Sequence, residues 1–141
     1  MLKDLKAVST VTQLIDPVTL TADANGASID LKSHQNALVC VAVGESGDTL
    51  SGSVYIELEL EESTDNSTFT DCADADVIGY VAGTNDGCFG FIDAAAEDDA
   101  VFTCQYIGSK RYIRPVVNVT GTHTNGTPIG AIGIAFDKKY V

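Results

Sequence analysis

Val54-Tyr55-Ile56-Glu57-Leu58-Glu59-Leu60-Glu61 is the stretch that decides the fold class. Apolar side chains at 54, 56, 58 and 60 alternate with glutamates at 57, 59 and 61. Only an extended strand turns a period of two into one apolar and one polar face. The reading is a half-buried antiparallel strand with its aliphatic side on a core and its glutamate row in water. An acidic catalytic cluster is the competing reading of the same three carboxylates, and the solvated face is adopted.

Outward from this strand the same signals recur at 27–31, 38–43, 77–81, 89–92, 101–107, 112–119 and 129–136. Turn chemistry separates them. Asn25-Gly26, Gly44 to Asp48, Asp65-Asn66-Ser67, Gly83 to Gly87, Gly108-Ser109-Lys110 and Asn125-Gly126 supply residues that tolerate positive φ or bond their own backbone. Many short strands so punctuated give an all-β fold, an antiparallel β-sandwich of jelly-roll type, with a barrel as the alternative. Pro115 cannot donate to a ladder, which places the 112–119 strand at an edge or at a bulge. Pro128 opens the last strand, and Thr122 to Gly126 is expected to form the hairpin before it. Residues 1–15, with Leu2, Leu5, Val8, Val11, Leu14 and Ile15 at mixed spacing, form a short helix or an extended arm; 16–141 is one sandwich domain. Asp93-Ala94-Ala95-Ala96-Glu97 can supply one helical turn.

A chain of 141 residues suffices for one core. Its 20 Asp and Glu against 8 Lys and Arg give a net charge of −12, which disfavours nucleic acid, because a duplex is held mainly by Lys and Arg displacing its counterions. The same charge keeps a protein soluble at high local concentration, as a repeated surface component requires. No run approaches the ~20 apolar residues of a membrane-spanning helix. The first residues do not read as a secretory leader, so the expectation is synthesis in a reducing host cytoplasm, with the Asn-x-Ser/Thr triplets at Asn66, Asn118 and Asn125 incidental. Cys40, Cys72, Cys88 and Cys104 contain no Cys-x-x-Cys pair. They read as buried thiols or spectators, and Cys72 with Cys88 is the better guess if a disulfide forms.

Chemistry is sparse. His34 and His123 both sit among polar, loop-forming residues, and neither completes a motif. No nucleophile elbow, phosphate loop or dinucleotide fingerprint occurs, so the chain is expected not to be an enzyme. Asp71, Asp74 and Asp76, and Glu97, Asp98 and Asp99, are oxygen-rich loops of the kind calcium favours. Their spacing does not match a twelve-residue calcium loop, and no metal or other cofactor is expected. The strongest local contrast is Lys110, Arg111 and Arg114, three of the eight basic residues, beside Tyr106 and Tyr112. Aromatic and Arg side chains are enriched at interfaces, so a basic strand among acidic loops could support packing of identical copies. The alternative, rated equal, is that these cations balance acids on their own sheet.

Gly47-Asp48-Thr49-Leu50-Ser51, the glutamate strand through Glu61-Glu62-Ser63, and Asp65-Asn66-Ser67-Thr68-Phe69-Thr70 together resemble small virion proteins of the head modules of tailed phages and gene transfer agents. Lys110-Arg111-Tyr112-Ile113-Arg114-Pro115-Val116-Val117, then Gly121-Thr122 and Thr127-Pro128-Ile129, are similar to the closing strands of the same group. The likeness covers about 47–136. It implies a head decoration, or cement, protein on the outer face of the capsid shell. Such a protein binds the major capsid protein and its own copies as a small cyclic oligomer, a trimer being favoured. Leu2, Leu5, Val8, Tyr106, Lys110, Arg111, Tyr112 and Arg114 are the expected interface residues, the first three in an arm that reaches a neighbouring subunit. A receptor- or carbohydrate-binding module of a spike or tail is the alternative, although a chain without Trp offers few aromatics for a sugar site.

Overall fold

The computed structural model describes residues 4–138. A single helical turn, α1 (Leu5–Val8), opens them, capped by Asp4, whose carboxylate accepts the Ala7 amide hydrogen at 3.1 Å. The strands among the described residues are β1 (Thr10–Leu20), β2 (Ala24–Asn25), β3 (Ile29–Asp30), β4 (His34–Val43), β5 (Tyr55–Ser63), β6 (Thr70–Asp71), β7 (Val77–Ile78), β8 (Cys88–Ile92), β9 (Ala100–Tyr106), β10 (Tyr112–Thr120) and β11 (Thr127–Lys138). A 3-10 turn at Asp74–Asp76 precedes β7.

All pairings are antiparallel, and they form two sheets: β1-β11-β4-β9-β7, and β2-β10-β5-β6 with β3 also on β10 and β8 also on β5. The pairing follows one rule. β1 joins β11, β2 and β3 join β10, β4 joins β9 and β5 joins β8. The chain is therefore one long hairpin, folded in half and rolled so that its pairs alternate between two sheets, which is jelly-roll connectivity. Alternate residues fill the space between the sheets: Ala37, Val39, Val41 and Val43 from β4, Ile56, Leu58 and Leu60 from β5, Ile113 and Val117 from β10, Ile129, Ala131 and Ala135 from β11.

The expected sandwich is present, with several local differences. β1 begins at Thr10, so residues 10–15, assigned to the arm, belong to the sheet, and Leu14 and Ile15 are core residues. Register shifts between Gln13 and Ile15 and between Ile15 and Val18 explain why β1 escapes a period-two reading. A bulge turns two successive side chains inward. The expected strands at 27–31 and 77–81 shrink to β3 and β7. Pro115 lies in β10, which is flanked on both sides rather than at an edge. Its carbonyl accepts from Gly26 at 2.8 Å, on the side where the partner strand is interrupted between β2 and β3. Since N and C=O of one strand residue point the same way, the missing N–H faces that interruption and no ladder bond is lost.

Residues 121–126 do not close a hairpin, because β10 and β11 lie in different sheets. They cross between the sheets, pinned by Asp48, whose carboxylate accepts the backbone amides of Thr124, Asn125 and Gly126 at 3.1, 3.0 and 2.7 Å. These amides hold the Asp48 carboxyl below its usual range. Gly126 has φ +78°, and a Cβ there would stand 2.6 Å from the Leu20 carbonyl oxygen, so the crossing requires glycine. All four cysteines are free thiols, Cys72 and Cys88 included. Burial pushes the thiols of Cys72 and Cys104 up, and that of Cys88 to about 12.

Candidate interaction surfaces

Each sheet has one face on the core and one outside, and the two outer faces differ in chemistry. On the six-stranded sheet, β5 sends Glu57, Glu59 and Glu61 outward, as its alternation requires. The face is not wet, however, and the expectation of a solvated glutamate row is wrong: Glu57 is 2% and Glu59 4% exposed. The segment after β7 folds back over them. Glu57 Oε1 accepts the backbone amides of Thr84 and Asn85 at 2.7 and 2.9 Å, and the backbone at Gly83 lies so close that a Cβ would collide with Glu57 and Cys88. These bonds join positions 27 and 28 residues apart, which a local sequence pattern does not display.

Glu61 is held differently. Arg114, directly across on β10, donates from Nε to Glu61 Oε2 at 2.6 Å and lies 4.1 Å above the Phe69 ring. On its other side Glu61 faces Asp71 of β6, a cross-strand pair of like charges, which is unfavourable in itself. Glu59, flanked by Val116 and Cys88 in the register, leaves Oε2 with no hydrogen-bond partner. Burial pushes the carboxyls of Glu59 and Asp71 up, helped by neighbouring carboxylates, Glu61 among them for both.

The remaining expected interface residues are dispersed. Arg111 forms a two-pronged bond to Asp30 at 2.8 and 2.7 Å, which lowers the Asp30 carboxyl to about 2, and its guanidinium lies 4.8 Å from the centroid of the Tyr112 ring. Both Arg111 and Arg114 thus balance acids on their own sheet. Tyr106 is a core residue rather than a surface one: it is fully buried, donates to Glu62 at 2.6 Å and accepts the Lys110 amide hydrogen at 2.9 Å. Lys110 is exposed and Tyr112 half-buried. Val8 is half-buried at the end of α1, and Leu2 lies outside the described residues. Leu5 begins α1. His34 and His123, placed by sequence among polar loops, are both buried.

The outer face of the five-stranded sheet was not anticipated as a surface. Its rows follow from the register: Val101, Ala42 and Gly130, with Pro17 packed over Gly130; Thr103, Cys40, Ile132 and Gln13; Gln105, Leu38, Ile134 and Val11; Asn36 and Phe136. None of these residues is charged. Val101 is 68%, Val11 54% and Ile132 42% exposed. A concavity of about 710 Å³ runs along one end of this face, between Pro17, Val18, Ala42, Val101 and Pro128, with Asp99 as its only charged lining residue. A second of about 340 Å³, over Gln13, Cys40 and Ile132, continues it. With strands ~4.8 Å apart and ~3.4 Å per residue, the uncharged face covers roughly 400 Å², and its apolar part is interrupted by Thr103, Gln13, Gln105 and Asn36. The signal was present in the sequence: 37–43 and 129–136 are apolar at almost every position rather than at alternate ones. Such strands are built to be covered on both sides.

No protein-family model matches the chain, and no curated protein matches it significantly in sequence. Among solved structures it is similar to the SPBc2 prophage-derived protein YomS, at TM-score 0.44 and 14% identity over 92% of this chain and 96% of that one. It is also similar to a chain in the structure of infectious bursal disease virus, Gx strain, at TM-score 0.41 and 11% identity over 91% of this chain and 32% of that one. A third likeness is to FLHE, at TM-score 0.36 and 13% identity over 94% and 99%. What the protein does is therefore read from its own surfaces.

Proposed function

We propose that the protein is a structural component of a tailed-phage virion, a decoration or cement protein that docks on the outside of the capsid shell through the uncharged face of its five-stranded sheet. The observation that carries this reading is that face. A chain with net charge −12 keeps the central outward rows of this sheet, from Val101, Ala42 and Gly130 to Asn36 and Phe136, free of charge, and depletion of charge at the centre of a patch is the compositional mark of a protein interface. The resemblance of residues 47–136 to small virion proteins supports the choice of partner, the major capsid protein together with further copies of this chain in a small ring, for which a trimer is favoured.

One such face is about half of the ~800 Å² per partner in a standard stable interface. A single contact would be weak, and a particle offering many sites converts it into firm attachment. No catalytic step is assigned. A carbohydrate-binding role is not favoured for this face, since neither of its concavities is lined, among the described residues, by an aromatic ring on which a sugar could stack.

The test uses Val101→Asp and Ile132→Asp, two exposed positions where a charge costs the fold little. Both variants should keep the wild-type circular dichroism spectrum and lose co-sedimentation with virus-like particles of the same phage. Wild-type occupancy by both, or a wild-type protein that never sediments with particles, rules the proposal out.

A further inference from the structure

Three of the carboxylates that sequence spacing grouped together are engaged elsewhere. Asp74 accepts the Gly87 amide at 2.9 Å, Asp98 that of Ser46 at 2.9 Å, and Glu97 that of Asp93 at 2.9 Å. The fold assembles a different set. One carboxylate oxygen from each of Glu59, Glu61 and Asp71 lies within 4.8 Å of the others, brought together by the pairing of β5 with β6.

An acidic cluster alone says little, since surfaces carry many. Here a second observation stands beside it: Glu59 is 4% exposed, its Oε2 has no hydrogen-bond partner among the described residues, and the Asn118 and Asn85 side chains near its carboxyl do not outweigh its burial. Burying a carboxylate oxygen with nothing to bond costs several kcal/mol on general grounds, and the strand could have carried an apolar residue instead. The direct opposition of Glu61 and Asp71 adds repulsion to the same spot. Three carboxylates and the Arg114 guanidinium on Glu61 leave two negative charges. We propose that Glu59, Glu61 and Asp71 form a binding site for a divalent, oxygen-seeking cation, calcium, which bridges β5 to β6.

The chemistry selects that class. The donors are all hard oxygens, with no imidazole or thiolate among them, which disfavours zinc and copper. Calcium bonds of roughly 2.3–2.6 Å let one ion span oxygens up to about 5 Å apart without moving the strands, and the ion tolerates irregular coordination completed by water. With three protein ligands and Arg114 nearby, the affinity belongs with weak sites, dissociating in the range of about 10⁻⁴–10⁻³ M.

The full-length protein, stripped with EDTA, would be titrated with calcium chloride while thermal unfolding is followed, against magnesium chloride at equal ionic strength and against sodium chloride. A chain of charge −12 gains stability from any salt by screening, so the controls decide. The expected result is a rise in Tm that saturates with calcium and exceeds both controls, with one site per chain by calorimetry. Glu59→Gln and Asp71→Asn should each weaken calcium binding at least about tenfold, a loss of about 1.4 kcal/mol. Asp71 is exposed, so Asp71→Asn remains informative if Glu59→Gln folds poorly. A Tm that calcium moves no further than magnesium or sodium overturns the proposal, as does an undiminished response in Asp71→Asn.

Discussion

Replacing Glu57 by alanine should be among the most damaging single changes outside the apolar core. The side chain is 2% exposed, and one oxygen accepts two backbone amides, from Thr84 at 2.7 Å and Asn85 at 2.9 Å. Hydrogen bonds to charged groups contribute about 1.5–3 kcal/mol each, and alanine leaves both amides without an acceptor, so a loss of about 3–5 kcal/mol is expected. For a chain of this length the unfolding entropy is about 0.3 kcal/mol/K, which converts that loss into a fall in Tm of roughly 10–17 °C. Glu57→Gln keeps an oxygen in place and also relieves repulsion with Asp71; it should stay within about 1–2 kcal/mol of wild type. Urea unfolding at neutral pH with both variants gives the comparison, and hydrogen exchange at the amides of 84 and 85 localises it. If alanine costs less than about 1 kcal/mol, or glutamine as much as alanine, the covering segment is not held by this carboxylate and the account of the buried glutamate row fails.

Two further outcomes follow from the electrostatics and the thiols. Asp30 has its carboxyl lowered from 3.8 to about 2, chiefly by the bond to Arg111; a depressed folded-state value gives stability that is present above about pH 3.8 and lost as pH falls through about 2. Both partners are 44% exposed, so solvent screening holds the contribution to about 0–1 kcal/mol. Carbon-detected NMR of the Asp30 carboxyl should show the low midpoint and its return toward 3.8 in Arg111→Ala; a wild-type midpoint near 3.8 refutes the pairing. Cys72, Cys88 and Cys104 are buried and their thiols raised, and reactivity belongs to the thiolate. A thiol reagent should therefore label the half-buried Cys40 first and the other three only on unfolding, whereas fast labelling of any of those three would contradict the core placement.

How much of this was legible depended on whether one residue's environment was local. The strands with clean alternation or unbroken apolar runs, β4, β5, β9, β10 and β11, were readable because side-chain direction along a strand is fixed by the pleat. β1 was not, because its two register shifts break the period at the positions where it enters the core. The pairing of first strand with last was beyond reach for another reason: it joins Val11 to Ile134, and no local pattern encodes a partner that distant in sequence. Tyr106 shows the limit for single residues. Its neighbours Lys110 and Arg111 argued for a surface, yet strand alternation with buried Cys104 already turned position 106 inward, and the sheet register outweighs local polarity.

The glutamate row was read as though only one face of its strand could be buried, and the outer face of the other sheet was not read as a surface at all. Of the glutamates that looked solvated, Glu57 is bonded to the covering segment after β7, Glu61 is paired with Arg114, and buried Glu59 has one oxygen, Oε2, without a partner among the described residues. Apolar residues, by contrast, occupy the outer rows of the other sheet, with Val101 and Ile132 open to solvent. A sandwich gains nothing in its own stability from Val101 at 68% exposure, and a monomer would be more soluble with lysine or glutamate there. On β5 the chain tolerates a buried carboxylate with one oxygen, Glu59 Oε2, unsatisfied among the described residues. Each feature is a local cost that folding alone does not explain, and departures of this kind concentrate where a protein meets something else. On the two proposals made above, one face would meet an apolar protein surface and the other a small cation, on opposite sides of a single core.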